Sequence, residues 1–196
     1  MTVVFDGHND VLGKLQSHDG APESFLTGLP DRDVDLPRAR AGGLGGAIFA
    51  INAPSPDDAW DTGSLSDMPY AGPADHAEAS AFTAGAIGRA HALAAASDGA
   101  VAVVTDGAAL DRCHADGTLA MVLHLEGAEA IDPGLSALDA WHAAGVRSIG
   151  LVWSRPSAFG YGVPFRFPAS PDTGPGLTDA GRALVLRCAE LGIVVD

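Results

Sequence analysis

Short apolar runs alternate with helix-favouring stretches along most of the chain, and this alternation limits the fold more than any other feature. The runs are Val3–Phe5, Ala47–Asn52, Leu119–Leu125, Val146–Trp153 and Ile193–Val195. Compact apolar runs of this kind suit strands covered on both faces, as in a parallel sheet. Helices are expected between them. Asp35 offers an N-cap, Pro37 fits a first turn and Gly42 and Gly43 a stop, giving a helix over Pro37–Ala41. The alanine-rich, proline-free segment Ala74–Ser97 reads as the longest helix, with Gly99 as its stop. Asp106 caps a helix over Gly107–Ala115, Leu135, Leu138 and Trp141 recur at helical spacing in Pro133–Ala144, and Thr178 or Asp179 begins a last helix through Leu191. Whether the shorter run Ala100–Val104 joins the main sheet is open on sequence alone. Strand, helix, strand, helix in this order predicts a parallel α/β architecture with active groups at the carboxyl ends of strands.

Polar chemistry gathers at two of those ends. In Phe5–Leu12 (Phe-Asp-Gly-His-Asn-Asp-Val-Leu), regular strand alternation puts Asp6, His8 and Asp10 on one face and Gly7 and Asn9 on the other. Imidazole nitrogen and carboxylate oxygen are the ligands a catalytic zinc commonly takes, so a His-x-Asp pair can hold a metal while leaving positions open for water. Asn9 and Asp10 are equally suited to turn the chain or cap a following helix. The run Leu119–Leu125 leads into Glu126, a carboxylate whose burial there requires a cation or hydrogen bonds; a solvated strand end is the plain alternative. His124, two residues earlier, reads as a core histidine or a partner to a ligand rather than a ligand itself. His76 and His91 read as polar residues on a helix flank, and Trp141 as core.

Three segments read as loops: His18–Asp33, Pro54–Pro73 and Ser154–Gly176. The last carries Arg155, Arg166, Phe159, Tyr161 and Phe165. Loops of that length in compact domains commonly serve as lids or binding loops. Its arginines could grip a substrate carboxylate in bidentate fashion or form ordinary surface ion pairs.

With 196 residues, 47% of them hydrophobic, one domain with a substantial core is expected. A formal net charge of -14 argues against a nucleic-acid partner, which requires a basic face. No apolar run approaches the roughly 18 to 20 residues of a membrane span, and the chain starts almost directly on its first strand without a secretory signal, so a cytoplasmic location is expected. Cys113 and Cys188 lack metal-knuckle spacing and read as reduced, partly buried thiols.

The wording Asp6-Gly7-His8-Asn9-Asp10 resembles the opening signature of the membrane (renal) dipeptidase family, zinc-dependent hydrolases of dipeptides. Further likenesses follow in order at Leu125-Glu126-Gly127, Gly145-Val146-Arg147, Gly176-Leu177-Thr178 with Gly181-Arg182, and Leu191 to Asp196. The resemblance implies an incomplete (β/α)8 TIM-type barrel of the metal-dependent hydrolase kind, comprising about the first five βα units. It makes residues 1–196 a single domain, the N-terminal part of a longer metallo-dipeptidase. It implies His8 and Asp10 as ligands of a first zinc, Glu126 as a bridge to a second, and a metal-bridged hydroxide as nucleophile toward a dipeptide. The second ion's histidines and the catalytic aspartate of the family would lie beyond Asp196, so the chain alone is expected to be inactive, to hold at most one zinc weakly, and to be poorly soluble or to associate. A homodimer of the full-length enzyme is compatible with the resemblance.

One departure stands out. Where the renal enzymes carry a histidine after the fourth strand, this chain has Trp153-Ser154-Arg155. Tryptophan cannot ligate a metal through its ring nitrogen or accept a hydrogen bond there. Trp153, Arg155 and Tyr161 are therefore the candidate substrate contacts, with a bacterial-type specificity. Two other readings stay open: a non-catalytic small-ligand-binding pseudoenzyme, and another amidohydrolase-type barrel acting on amide bonds. The latter usually places His-x-His on the first strand.

Overall fold

A computed structural model of the chain describes residues 3–17, 23–28, 32–55, 72–164, 166–172 and 174–196. Among these residues the elements run β1 (Val4–Asn9), α1 (Val11–Ser17), α2 (Glu23–Thr27), α3 (Leu36–Gly42), β2 (Leu44–Ile51), α4 (His76–Ala96), β3 (Val101–Val103), α5 (Gly107–Asp116), β4 (Leu119–Glu126), α6 (Ser136–Ala143), β5 (Val146–Gly150), α7 (Asp179–Leu191) and β6 (Val194–Val195). The sheet order is β1-β2-β4-β5-β6, with β3 paired to β4 off this path. β1 with β2, β3 with β4 and β5 with β6 are parallel pairs. A parallel sheet whose strands follow chain order, interleaved with helices, is the α/β pattern of an incomplete (β/α) barrel. The doubtful run Ala100–Val104 supplies β3, a side branch of the path.

Contacts divide the chain into two compact units, Met1–Ile51 with Ala84–His124 and Ala144–Arg147, and Asn52–Thr83 with Leu125–Ala143 and Ser148–Asp196. In the first, Leu12, Phe25, Phe49, Leu93, Met121 and Leu123 are fully buried. The rings of Phe25 and Phe49 meet edge to face, centroids 6.4 Å apart, an arrangement their quadrupoles favour. In the second, Leu138, Ile149, Phe159 and Leu184 are fully buried, and Ala53, Ala79 and Ala130 form a cluster against which Trp141 packs. Trp141 Nε1 donates to Ala130 O at 2.8 Å, so this half-buried tryptophan, packed against the core instead of within it, also meets its polar requirement.

Helix starts follow their caps. Asp35 accepts the Arg38 N–H at 2.8 Å, Asp106 that of Ala109 at 2.7 Å, and Thr178 Oγ1 that of Gly181 at 3.0 Å. Asp75 does the same for α4 through the Glu78 N–H at 3.0 Å. Each satisfies a backbone donor that a helix N-terminus leaves orphaned.

Elsewhere tertiary structure moves the expected boundaries. The loop expected over 18–33 contains α2, whose Phe25 is buried; residues 18–22 and 29–31 of that segment lie outside the described residues. Of the loop expected over 54–73, residues 56–71 are likewise outside, as is Phe165. β2 begins at Leu44 rather than Ala47, because its glycines make room for a neighbour: a Cβ at Gly46 would stand 2.9 Å from the Phe5 ring and 3.2 Å from Ala120 Cβ. The helix expected from Pro133 starts at Ser136, since Leu135 sits at φ 63° and Asp132 gathers the first-turn donors. β5 stops at Gly150, short of Trp153, which instead forms an isolated antiparallel bridge with Arg155.

Candidate metal centre

β1 does not keep a strand's strict alternation. Asp6 pairs with Ala47 and Asn9 with Phe49, so β1 advances three residues where β2 advances two. Such a bulge re-aims the side chains around it. The Asp6 carboxylate consequently turns to its own strand, accepting from His8 N at 3.3 Å and Asn9 Nδ2 at 3.2 Å. The single face expected to carry Asp6 with His8 and Asp10 is thus broken. Asn9, buried, also donates to Ile48 O at 3.2 Å, and its Oδ1 accepts Val11 N at 3.3 Å. Asp10 follows the strand at the start of α1, where its carbonyl accepts Lys14 N at 3.0 Å. The capping reading is met by the backbone and by Asn9, and this leaves the Asp10 carboxylate available for a metal.

His8 Nε2 lies 3.4 Å from Asp10 Oδ1. Ligands held about 2.0 to 2.1 Å from a tetrahedral ion lie about 3.4 Å apart, so this spacing suits a shared cation. Lys14 Nζ stands 4.0 Å from the other Asp10 oxygen. Glu126 ends β4, and one ligand atom from each of His8, Asp10 and Glu126 lies within 4.8 Å of the others. One imidazole and two carboxylates are a hard, nitrogen-and-oxygen donor set of the kind a divalent zinc accepts. His124 is buried, and its ring meets that of His8 edge to face, centroids 6.2 Å apart. It packs beside the candidate ligand His8 and is not one of the clustered groups.

The other histidines on α4 are occupied structurally, His76 Nδ1 with Glu129 O and His91 Nε2 with Ala144 O, both at 2.8 Å. A ring nitrogen facing a carbonyl must carry the proton, so neither of these nitrogens is a ligand.

Of the expected substrate contacts, Tyr161 is exposed and Trp153 half-buried. Arg155 corrects its expectation. It has no exposed surface, and its guanidinium donates to Glu129 Oε1 at 2.6 Å, Ser55 Oγ at 2.8 Å, Asn52 Oδ1 at 3.0 Å and Ala53 O at 2.8 Å. Its carbon Cζ also lies 5.2 Å from the centroid of the Trp153 ring, within cation–π range. A fork this fully committed ties the chain together instead of meeting a solute. Arg166 is exposed. Glu129, buried with Arg155, is the polar residue that sequence reasoning passed over. Its signal was available: a carboxylate set among Ala128, Ala130 and Ile131 needs a cation as much as Glu126 does.

The fold and the site together define a parallel α/β protein with a candidate metal centre of one imidazole and two carboxylates at its strand ends. The model of the membrane dipeptidase family, peptidase family M19, matches residues 1–196, and the chain belongs to that family. It is 42% identical to the solved dipeptidase AC, a family M19 metallopeptidase, at TM-score 0.90 over 99% of this chain and 55% of that one. A metallopeptidase from Rhodobacter sphaeroides, solved with a phosphinate mimic of the dipeptide L-Ala-D-Ala, is also 42% identical, with TM-score 0.92 over 99% of this chain and 57% of that one. An uncharacterised protein encoded in the PQQ-III 3' region of Acinetobacter calcoaceticus is 37% identical over 98% of this chain and 62% of its own length. The chain thus spans little more than half the length of these solved relatives. An amidohydrolase from Pseudomonas aeruginosa, 15% identical at TM-score 0.62, shares the fold.

Proposed function

We propose that the full-length protein is a zinc-dependent dipeptidase whose first metal is held by His8 and Asp10, with Glu126 bridging to a second. The observation that carries this reading is the approach of the three ligand atoms to within 4.8 Å of one another. When bound, zinc polarises a carbonyl and lowers the pKa of water toward neutrality. The chain's own part is orientation: the β1 bulge aims His8, the start of α1 holds Asp10, and β4 delivers Glu126. Trp153 and Tyr161 are offered as substrate contacts in the loop after β5. The solved relative that carries a dipeptide mimic supports a dipeptide as the substrate class.

No helix among the described residues is long and apolar enough to cross a membrane. Cys113 and Cys188 are free and buried, and burial raises both thiol pKa values, which suits unreactive thiols in a reducing cytoplasm. Assembly of the full-length enzyme as a homodimer belongs to the same reading.

Metal analysis of the full-length protein tests the core of the proposal, with two zincs per chain expected and none favouring a pseudoenzyme. Glu126→Gln should abolish the pairing of metals and turnover together. Retained activity with two bound zincs would contradict the bridging role.

A further inference from the structure

We infer that the buried Glu129–Arg155 pair fixes the pose of Glu126, which makes both of them positioning residues of the metal centre; the inference rests on the metal reading given above. Immediately after Glu126 the chain turns at Gly127, with φ at 99°, a conformation that L side chains rarely adopt. It then enters Ala128–Ile131, four residues that are all buried. The Glu129 side chain folds back onto that turn. A Cβ at Gly127 would meet the Glu129 Oε2 atom and would stand 3.1 Å from both Oε1 and Cδ. The carboxylate therefore lies against the peptide that leads out of the ligand.

Glu129 is immobilised at both ends. Its Oε1 accepts Arg155 Nε at 2.6 Å, while its carbonyl accepts His76 Nδ1 at 2.8 Å. Arg155 is anchored in turn to Asn52, Ala53 and Ser55. A buried ion pair is weak as a source of stability, because desolvation offsets most of the attraction, so its presence here calls for another explanation. Orientation supplies one. Groups that hold a metal ligand in place commonly change metal affinity by about 10- to 100-fold when removed.

The test uses the full-length protein and titrates zinc against a chromophoric chelator for the wild type, Glu129→Gln, Arg155→Lys and Leu184→Ala. Leu184 is a fully buried α7 residue outside the cluster and serves as the stability control. Glu129→Gln and Arg155→Lys are expected to weaken zinc binding by about 10- to 100-fold. Leu184→Ala should lower the melting temperature and leave zinc affinity as it is. Affinity that merely tracks melting temperature across the three variants, or wild-type affinity in Glu129→Gln, overturns the inference while leaving the metal reading intact. A wild type that takes up no zinc brings down the metal reading and this inference with it. Should Glu129→Gln not fold, hydrogen exchange on the wild type decides: zinc should slow exchange at Ile131 N, which donates to Ala128 O at 2.9 Å, more than at α7 amides. Unchanged exchange at Ile131 overturns the proposal.

Discussion

Asp132 belongs to no helix, yet its carboxylate organises one. It accepts Ala137 N at 2.8 Å and Ser136 N at 3.2 Å, and these bonds, the one from Ala137 foremost, hold its pKa down to about 2. A carboxyl whose pKa falls on folding stabilises the native state above its unfolded value, ordinarily 3.8, and loses that contribution as pH drops toward the folded value. Asp132→Asn imitates the protonated form. The stability gap between wild type and this variant, read from urea melts, should therefore be constant above about pH 5 and should close as acid is added from there toward about pH 2. A gap independent of pH would show that the charge contributes nothing. The same scale displays what residue identity can and cannot reveal. His8 and Asp10 stood out as candidate ligands by type and spacing, Glu126 joined them through the family resemblance, and the structure brings ligand atoms of all three within 4.8 Å of one another. The turn of the Asp6 carboxylate onto its own strand and the burial of Arg155 were not legible, since each depends on a neighbour far along the chain or on a bulge that no local pattern encodes.

Elements were legible where their limits are set locally. Asp35, Asp106 and Thr178 start their helices with their own side chains, so α5 and α7 begin where the sequence places them and α3 begins one residue earlier, at Leu36. Limits set by distant partners were missed, as with α2, which Phe25 anchors against Phe49, and the start of β2, which Phe5 overlies. Thr178 does more than cap. Its Oγ1 also donates to Ala158 O at 2.7 Å and its N–H to Phe159 O at 3.1 Å, stitching the head of α7 to the loop after β5. Thr178→Ala should cost about 1 to 2 kcal/mol, the upper part of the usual range for a lost cap, as a lowered urea midpoint with an unchanged slope. A loss well below 0.5 kcal/mol would mean that water replaces both bonds.

At the scale of the molecule, the order of strands follows from the order of apolar runs, and only the place of β3 needed coordinates to settle. Solution behaviour follows from what the sheet leaves uncovered. β1 and β6 end the strand order, and Val3, Val4, Phe5, Val194 and Val195 are exposed there. Apolar edges of this kind recruit further chains, although a net charge of -14 opposes close approach. The 196-residue chain should therefore gain apparent mass with rising protein concentration and added salt, measured by light scattering after size exclusion. A constant monomer mass under both treatments would refute this.

The surplus residue in β1 carries a practical lesson for anyone borrowing this ligand pair. Copying His-x-Asp onto an ordinary, evenly pleated strand would transplant the letters and lose the aim, because the imidazole's heading comes from a slipped step between two neighbours. A graft would have to bring the slip along, with Asn9 latched to the adjacent strand to keep it.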